Sequence, residues 1–135
     1  MALCESVDVR RLPEPYQAEH FFTCAAAALA AFDFESATRH LKDSEDKILR
    51  PSSVRNYLFL AARLAQAQGE DLKAEALCRE AAENTYTGQG GDGLVLWGDL
   101  LIQRGDLPGA RLAWRLARER DPESAWAQVA KGRLV

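Results

Sequence analysis

The chain is poor in the residues that anchor metal and covalent chemistry: two histidines and three cysteines in 135 residues. Cys4, Cys24 and Cys78 are odd in number and widely spaced. No C-x-x-C and no Cys/His cluster occurs, which argues against a zinc motif and against a disulfide framework. Cys24 and Cys78 lie among alanines and leucines, where a thiol serves as a small apolar core residue. Cys4 has nothing nearby in sequence to activate it. Neither His20 nor His40 has a second histidine four residues on, so no metal site is expected. No stretch reaches the ~18 apolar residues of a membrane-spanning helix, so no membrane partner is expected. The opening MALCESVDVRRLPEPYQ carries acidic residues and no apolar segment. It does not read as a secretory signal, and the expected location is cytoplasmic. Alternating β-branched stretches are also missing, which removes the usual signature of strands. The net charge of −3 disfavours general affinity for nucleic acid or anionic lipid.

What is present is helical. Hydrophobic residues make up 47% and charged ones 27% of the chain, enough to bury a core yet remain a globular rather than a disordered sequence. Ala, Leu, Glu and Arg dominate and predict an all-α fold of seven helices, at about 15–31, 34–47, 53–68, 71–84, 93–104, 107–120 and 123–134. Residues 1–17 read as a partly flexible N-terminal tail and 18–135 as the helical domain. The stops have chemical reasons. Asp33 is a candidate N-cap, Pro51-Ser52-Ser53 breaks the chain and caps the third helix, and Gly69 and Gly105 end helices. Asp71 and Asp106 open the next ones, and Asp121-Pro122 offers a cap followed by proline at the first helical position. Connections this short make neighbouring helices antiparallel hairpins.

The hairpins repeat. In LVLWGDLLIQRGDLPGARLAWRLARERDP, small and aromatic residues fall at fixed offsets: Gly98, Gly105, Ala110, Trp114, Ala117 and Pro122. This stretch resembles the tetratricopeptide repeat, a helix–turn–helix unit of about 34 residues. Ala62, Gly69, Ala74, Cys78 and Ala81 recover the pattern 36 residues earlier, with Tyr86 at the proline position. Ala25, Phe32, Ala37, Leu41 and Ser44 recover it a further 37 residues back, where the turn glycine is missing. After Pro122 a further first helix begins, with Gly132 on its small position. It reads either as the closing helix of the array or as the start of a longer one, and the first is favoured because three repeats plus a closing helix suffice for stability. The resemblance implies a right-handed α-solenoid of about three hairpins plus a C-terminal closing helix.

NTYTGQGGDGLVLW contains a G-x-G-x-x-G run, Gly88, Gly90 and Gly93, which matches the loop that cradles a dinucleotide pyrophosphate. Such a loop must follow a strand and open a helix. Here LKAEALCREAAEN precedes it and reads as helix, so the glycines are expected to be a joint between repeats, and no cofactor is expected. No nucleophile–base set or carboxylate pair has sequence support, so the chain is not expected to be an enzyme.

In the family it resembles, the first helix of each hairpin lines the concave surface where partners bind. Carried over, the groove positions are Glu19, Phe22, Ala26 and Leu29; Asn56, Phe59, Arg63 and Gln66; Asp92, Val95, Asp99 and Ile102; and Trp126, Val129 and Arg133. The family's carboxylate clamp is not matched, because Phe22 and Phe59 stand at its lysine positions and Ala26 at its asparagine. The resemblance therefore implies a non-catalytic scaffold, adaptor or chaperone-like module. It would capture an apolar or amphipathic protein segment, with Phe22, Phe59 and Trp126 as anchors and Arg63, Asp99 and Arg133 setting direction. Cover of the groove by the N-terminal segment and pairing of two copies are the competing occupants. The alternative is a nucleic-acid or polyanion adaptor built on the Arg-rich helix 104–120, where Arg111, Arg115 and Arg118 share a face.

Overall fold

A computed structural model of the chain describes residues 8–48, 50–83 and 91–135. Among them there are seven α-helices and no strand: α1 (Glu14–Ala30), α2 (Phe34–Ser44), α3 (Pro51–Ala67), α4 (Asp71–Glu83), α5 (Gly91–Gln103), α6 (Leu107–Arg120) and α7 (Ala125–Arg133). Two 3₁₀ turns, Val9–Arg11 and Glu45–Lys47, flank the first hairpin. The closest packing is within the pairs α1–α2, α3–α4 and α5–α6; α4 then packs on α5 and α6 on α7, and both α1 and α2 touch α3. The expected array of adjacent helical pairs is thus the architecture seen.

One turn is used three times. Asp33 N–H donates to the Ala28 carbonyl at 2.8 Å, Glu70 to Ala65 at 2.8 Å and Asp106 to Leu101 at 2.9 Å. The residue before each donates to the carbonyl three back: Phe32 to Leu29, Gly69 to Gln66, Gly105 to Ile102. This pair of bonds satisfies the last carbonyls of a helix and requires a left-handed residue at its centre. Gly69 (φ 78°) and Gly105 (φ 87°) supply it without strain, whereas in the first hairpin Phe32 is forced there at φ 59°. The missing glycine therefore leaves the turn intact and puts its cost on Phe32, whose ring is 80% exposed. Asp33 and Asp106 then cap the following helices, accepting from Ser36 N–H and Gly109 N–H.

Two cap expectations are corrected. Helix α3 begins at Pro51 itself, with Arg50 as an N-cap that makes no side-chain bond. Ser53, inside the first turn, is buried and its hydroxyl donates to Glu19 Oε1 at 3.3 Å. Pro122 lies in a turn rather than at the start of α7. The cap there is Ser124, which accepts from Ala127 N–H, while Asp121 accepts from Gly91 N–H across the hairpins at 3.4 Å. Helix α1 begins at Glu14, so residue 17 falls inside it rather than in a tail.

Every repeat position of the second helices that falls on a described residue is buried: Ala37, Leu41 and Ser44; Ala74, Cys78 and Ala81; Ala110, Trp114 and Ala117. Size complementarity explains why. A methyl group built on Gly98 would lie 2.3 Å from Trp114 Nε1, so the largest side chain of the pattern sits against its smallest residue. In the other hairpins, fully buried Ala62 shares a cluster with Cys78, and Ala25 shares one with Leu41. Glu75, only 3% exposed, is held by Arg104 at 2.9 Å, which ties α4 to the turn between α5 and α6. Cys24 is fully buried, but it is disulfide-bonded rather than the free thiol its apolar neighbours suggest.

Candidate functional site

Among the described residues, two adjoining cavities, of about 310 and 230 Å³, are lined by α1, α3, α5 and α7, the first helices of the hairpins and the helix after them. Both are bordered by Phe59, Arg63 and Asp92, so they form two chambers of one trough. The smaller chamber lies toward α1, walled by Phe22, Thr23 and Ala26, with Asn56 and Leu60 from α3. The larger runs toward α7 and is walled by Gln66, Val95, Leu96, Asp99, Trp126 and Arg133.

Most groove residues expected from the sequence are brought together here, but not all serve as expected. Phe22 and Phe59 are each 4% exposed and Val95 2%. They form the floor, and the proposed anchor role of the two phenylalanines is corrected: their surface is already spent on the core. Trp126, 45% exposed, is the aromatic with area to offer. Leu29, in the last turn of α1, is drawn into the core of the first hairpin. Ile102 is exposed near the turn that ends α5 and borders neither chamber. Val129 packs against the α5–α6 core. Glu19 is engaged with Ser53 and, at 3.9 Å, with Arg50, which anchors α1 to the start of α3.

The charges of the larger chamber are partly consumed. Asp99 Oδ1 accepts from Trp114 Nε1 at 3.1 Å and from Arg133 Nε at 2.6 Å, while Oδ2 accepts from Arg133 Nη2 at 2.9 Å. The carboxylate raises the affinity of the Arg133 guanidinium for its proton. This bidentate arrangement fixes α7 against α5 and ties both to the tryptophan of α6. Asp99 and Arg133 are thereby wall rather than free recognition groups. Arg63 and Asp92 are exposed where the two chambers meet and are the charges presented to an occupant.

Gly93 answers the question raised by the glycine run. A methyl group there would lie 1.8 Å from Phe59 Cε1, so the glycine is the notch into which the ring of α3 fits. Gly93 sits inside α5, and the described element before it is helix α4, not a strand. Gly88 and Gly90 lie outside the described residues. The sequence reading missed this notch, along with Thr23, Leu60 and Leu96. Its signal was there: a bare glycine in an apolar helix marks a close approach.

Elsewhere, Arg111, Arg115 and Arg118 lie exposed along α6. No helix among the described residues is long and apolar enough to cross a membrane, and no group of His, Cys, Asp and Glu among them is arranged to hold a metal ion. The chain matches no family model, no curated protein and no solved structure.

Proposed function

We propose that the chain is a tetratricopeptide-like, right-handed helical array that acts without catalysis as a protein-interaction module. It captures an apolar or amphipathic segment of another protein in the trough of α1, α3, α5 and α7. The observation that carries this reading is the pair of chambers joined at Phe59, Arg63 and Asp92, with half-exposed Trp126 at one end. An occupant would set one apolar side chain in each chamber, cover the Trp126 ring, and place opposite charges near Arg63 and Asp92. Burying the remaining face of the indole would contribute on the order of 1 kcal/mol. The proposed location is the cytoplasm.

The test avoids Phe59, whose replacement would destabilise the core as well as alter the trough. A photo-crosslinking amino acid at Gln66 or Thr23 should capture a protein in cells of origin, and Trp126→Ala with Arg63→Glu should abolish that capture without changing the helical circular dichroism. Capture only from position 111 or 115 would show that the trough is the wrong surface. Exposed Arg111, Arg115 and Arg118 favour a second reading, a polyanion adaptor. It requires retention on heparin that falls steeply with salt and is lost in the triple alanine variant.

A further inference from the structure

We infer that two copies of the chain pair through their first hairpins, each seating Phe32 in a groove of the other beside Ala61. The groove is a cavity of about 340 Å³ bordered by α2, α3 and α4, and it shares no residue with either chamber of the trough. The repeat itself shows what such a groove takes. Ala61 lines it, and Trp97 stands 36 residues on, at the same place in the junction of the second and third hairpins. That indole packs against the cluster of α3, α4 and α5 and against the cluster of α5, α6 and α7. The second junction is also latched by the Arg104–Glu75 pair. The corresponding residues of the first, Gln68 and Thr38, both border the cavity and carry no charge, and the Thr38 hydroxyl donates back to the Phe34 carbonyl at 2.7 Å. One junction is thus plugged by an aromatic of its own chain, and the other holds an alanine where that aromatic would be.

The chain also carries an aromatic that fits. Phe32 is 80% exposed and is held at φ 59°, whereas the two sister turns place glycine there. A strained backbone that leaves a ring in water points to a use for that ring at the surface. Its position suits a two-fold pair. Helix α2 follows Phe32 closely and also supplies one wall of the groove, through Leu41, Lys42 and Glu45. Two α2 helices laid antiparallel, with exposed Thr38 at the axis, set Phe32 of each level with that wall of the other, since Phe32 lies about 9 Å along from Thr38. The same crossing brings exposed Glu35 against exposed Lys42 of the second copy, so charge as well as shape selects the register. Knob and groove lie on one surface, so the contact is reciprocal and closes at two copies. The trough stays open in the pair.

Sedimentation velocity of the full-length chain from about 1 µM to about 1 mM should show a monomer giving way to a dimer and to nothing larger. Phe32→Gly should weaken the pair at least about a hundredfold, because two rings per pair are lost, while keeping the helical circular dichroism. Ala61→Trp, which plugs the groove from within as Trp97 does, should likewise leave a monomer. Glu35→Lys and Lys42→Glu should each weaken pairing, by less at high salt, and the double variant Glu35→Lys/Lys42→Glu should regain it. A chain monomeric throughout, which would leave the groove to a different protein, would overturn the pairing. So would a dimer indifferent to Phe32→Gly, species that keep growing with concentration, or a charge exchange that regains nothing.

Discussion

Replacing Gly93 with alanine tests the packing of α3 on α5 directly. The added methyl would lie 1.8, 1.9 and 2.1 Å from Cε1, Cζ and Cδ1 of Phe59, so the ring must retreat by more than 1 Å or leave its site. Phe59 is 4% exposed and borders both chambers, so a retreating ring would leave its packed site for the trough. Overpacking of this kind costs about 1–3 kcal/mol, and outright expulsion of the ring forfeits about 1.5–3 kcal/mol of burial. Against this stands the helical preference of Ala over Gly, worth up to about 1 kcal/mol and less in a first turn. The balance is a loss of about 1–2 kcal/mol, or a melting temperature lower by on the order of 5 °C. Thermal unfolding followed by circular dichroism measures it. Gly132→Ala is the control: a methyl there meets nothing within 4 Å, so only the preference remains and that variant should be slightly more stable. The decisive comparison is made in a Phe59→Ala background. With the ring gone the clash is gone, and Gly93→Ala should change sign and stabilise. A Gly93→Ala protein as stable as wild type, or one equally destabilised with and without the ring, would refute the notch.

The turn at Phe32 gives the opposite expectation. Phe32→Gly should stabilise by about 1 kcal/mol, because it removes a left-handed phenylalanine and loses little packing; Gly69→Ala and Gly105→Ala, sterically free but at φ 78° and 87°, should each cost a similar amount. Chemical denaturation curves read all three. Arg104→Ala should destabilise more than the double variant Glu75→Leu/Arg104→Ala, since the single change strands a carboxylate that is 3% exposed; a loss on the order of 1–3 kcal/mol is expected because Arg104 itself is half in water. Burial, then the Glu75 carboxylate, pushes the Cys78 thiol from 9.0 up to about 12. The folded thiol keeps its proton while the unfolded one ionises, so stability should fall as pH rises from about 9 toward 12. Cys78→Ala should delay the onset of that fall to about pH 10, where Tyr57, raised to about 12 by desolvation and its bond to Glu45, begins the same loss.

The helices and hairpins were legible in the sequence because each depends on local chemistry. Asp33, Gly69, Gly105 and Asp106 do in the structure what their residue types allow anywhere. The starts of α3 and α7 were misread for an equally physical reason. Asp, Ser and Pro are all good at helix entry, and tertiary partners decided among them: Glu19 takes the Ser53 hydroxyl and Gly91 takes the Asp121 carboxylate. The bond at Cys24 was illegible because sulfur pairing depends on distance in space, while its alanine-rich surroundings suggest an inert core thiol.

The site was legible as a face and not as a surface, and Phe59 shows why. Its position on α3 correctly assigns it to the trough, since periodicity reports direction from the helix axis. Exposure is set by what the next helix presents, and α5 presents Gly93, a notch that swallows the ring. Trp114 is lost to view in the same way, because Gly98 lets the indole reach across to Asp99. That bond in turn uses Asp99, and Arg133 closes on the same carboxylate. One glycine of α5 therefore removes Phe59 from the recognition inventory, and the other, through Trp114, helps to remove the Asp99–Arg133 pair. On the proposed reading, what remains to select a partner is Trp126 at the edge, with Arg63 and Asp92 where the two chambers meet. Selectivity in this trough then follows from the charge order along an occupant as well as its apolar content. Exchanging the two charges, Arg63→Asp with Asp92→Arg, should weaken a native partner more than removing either one, because the exchange repels where deletion merely fails to attract.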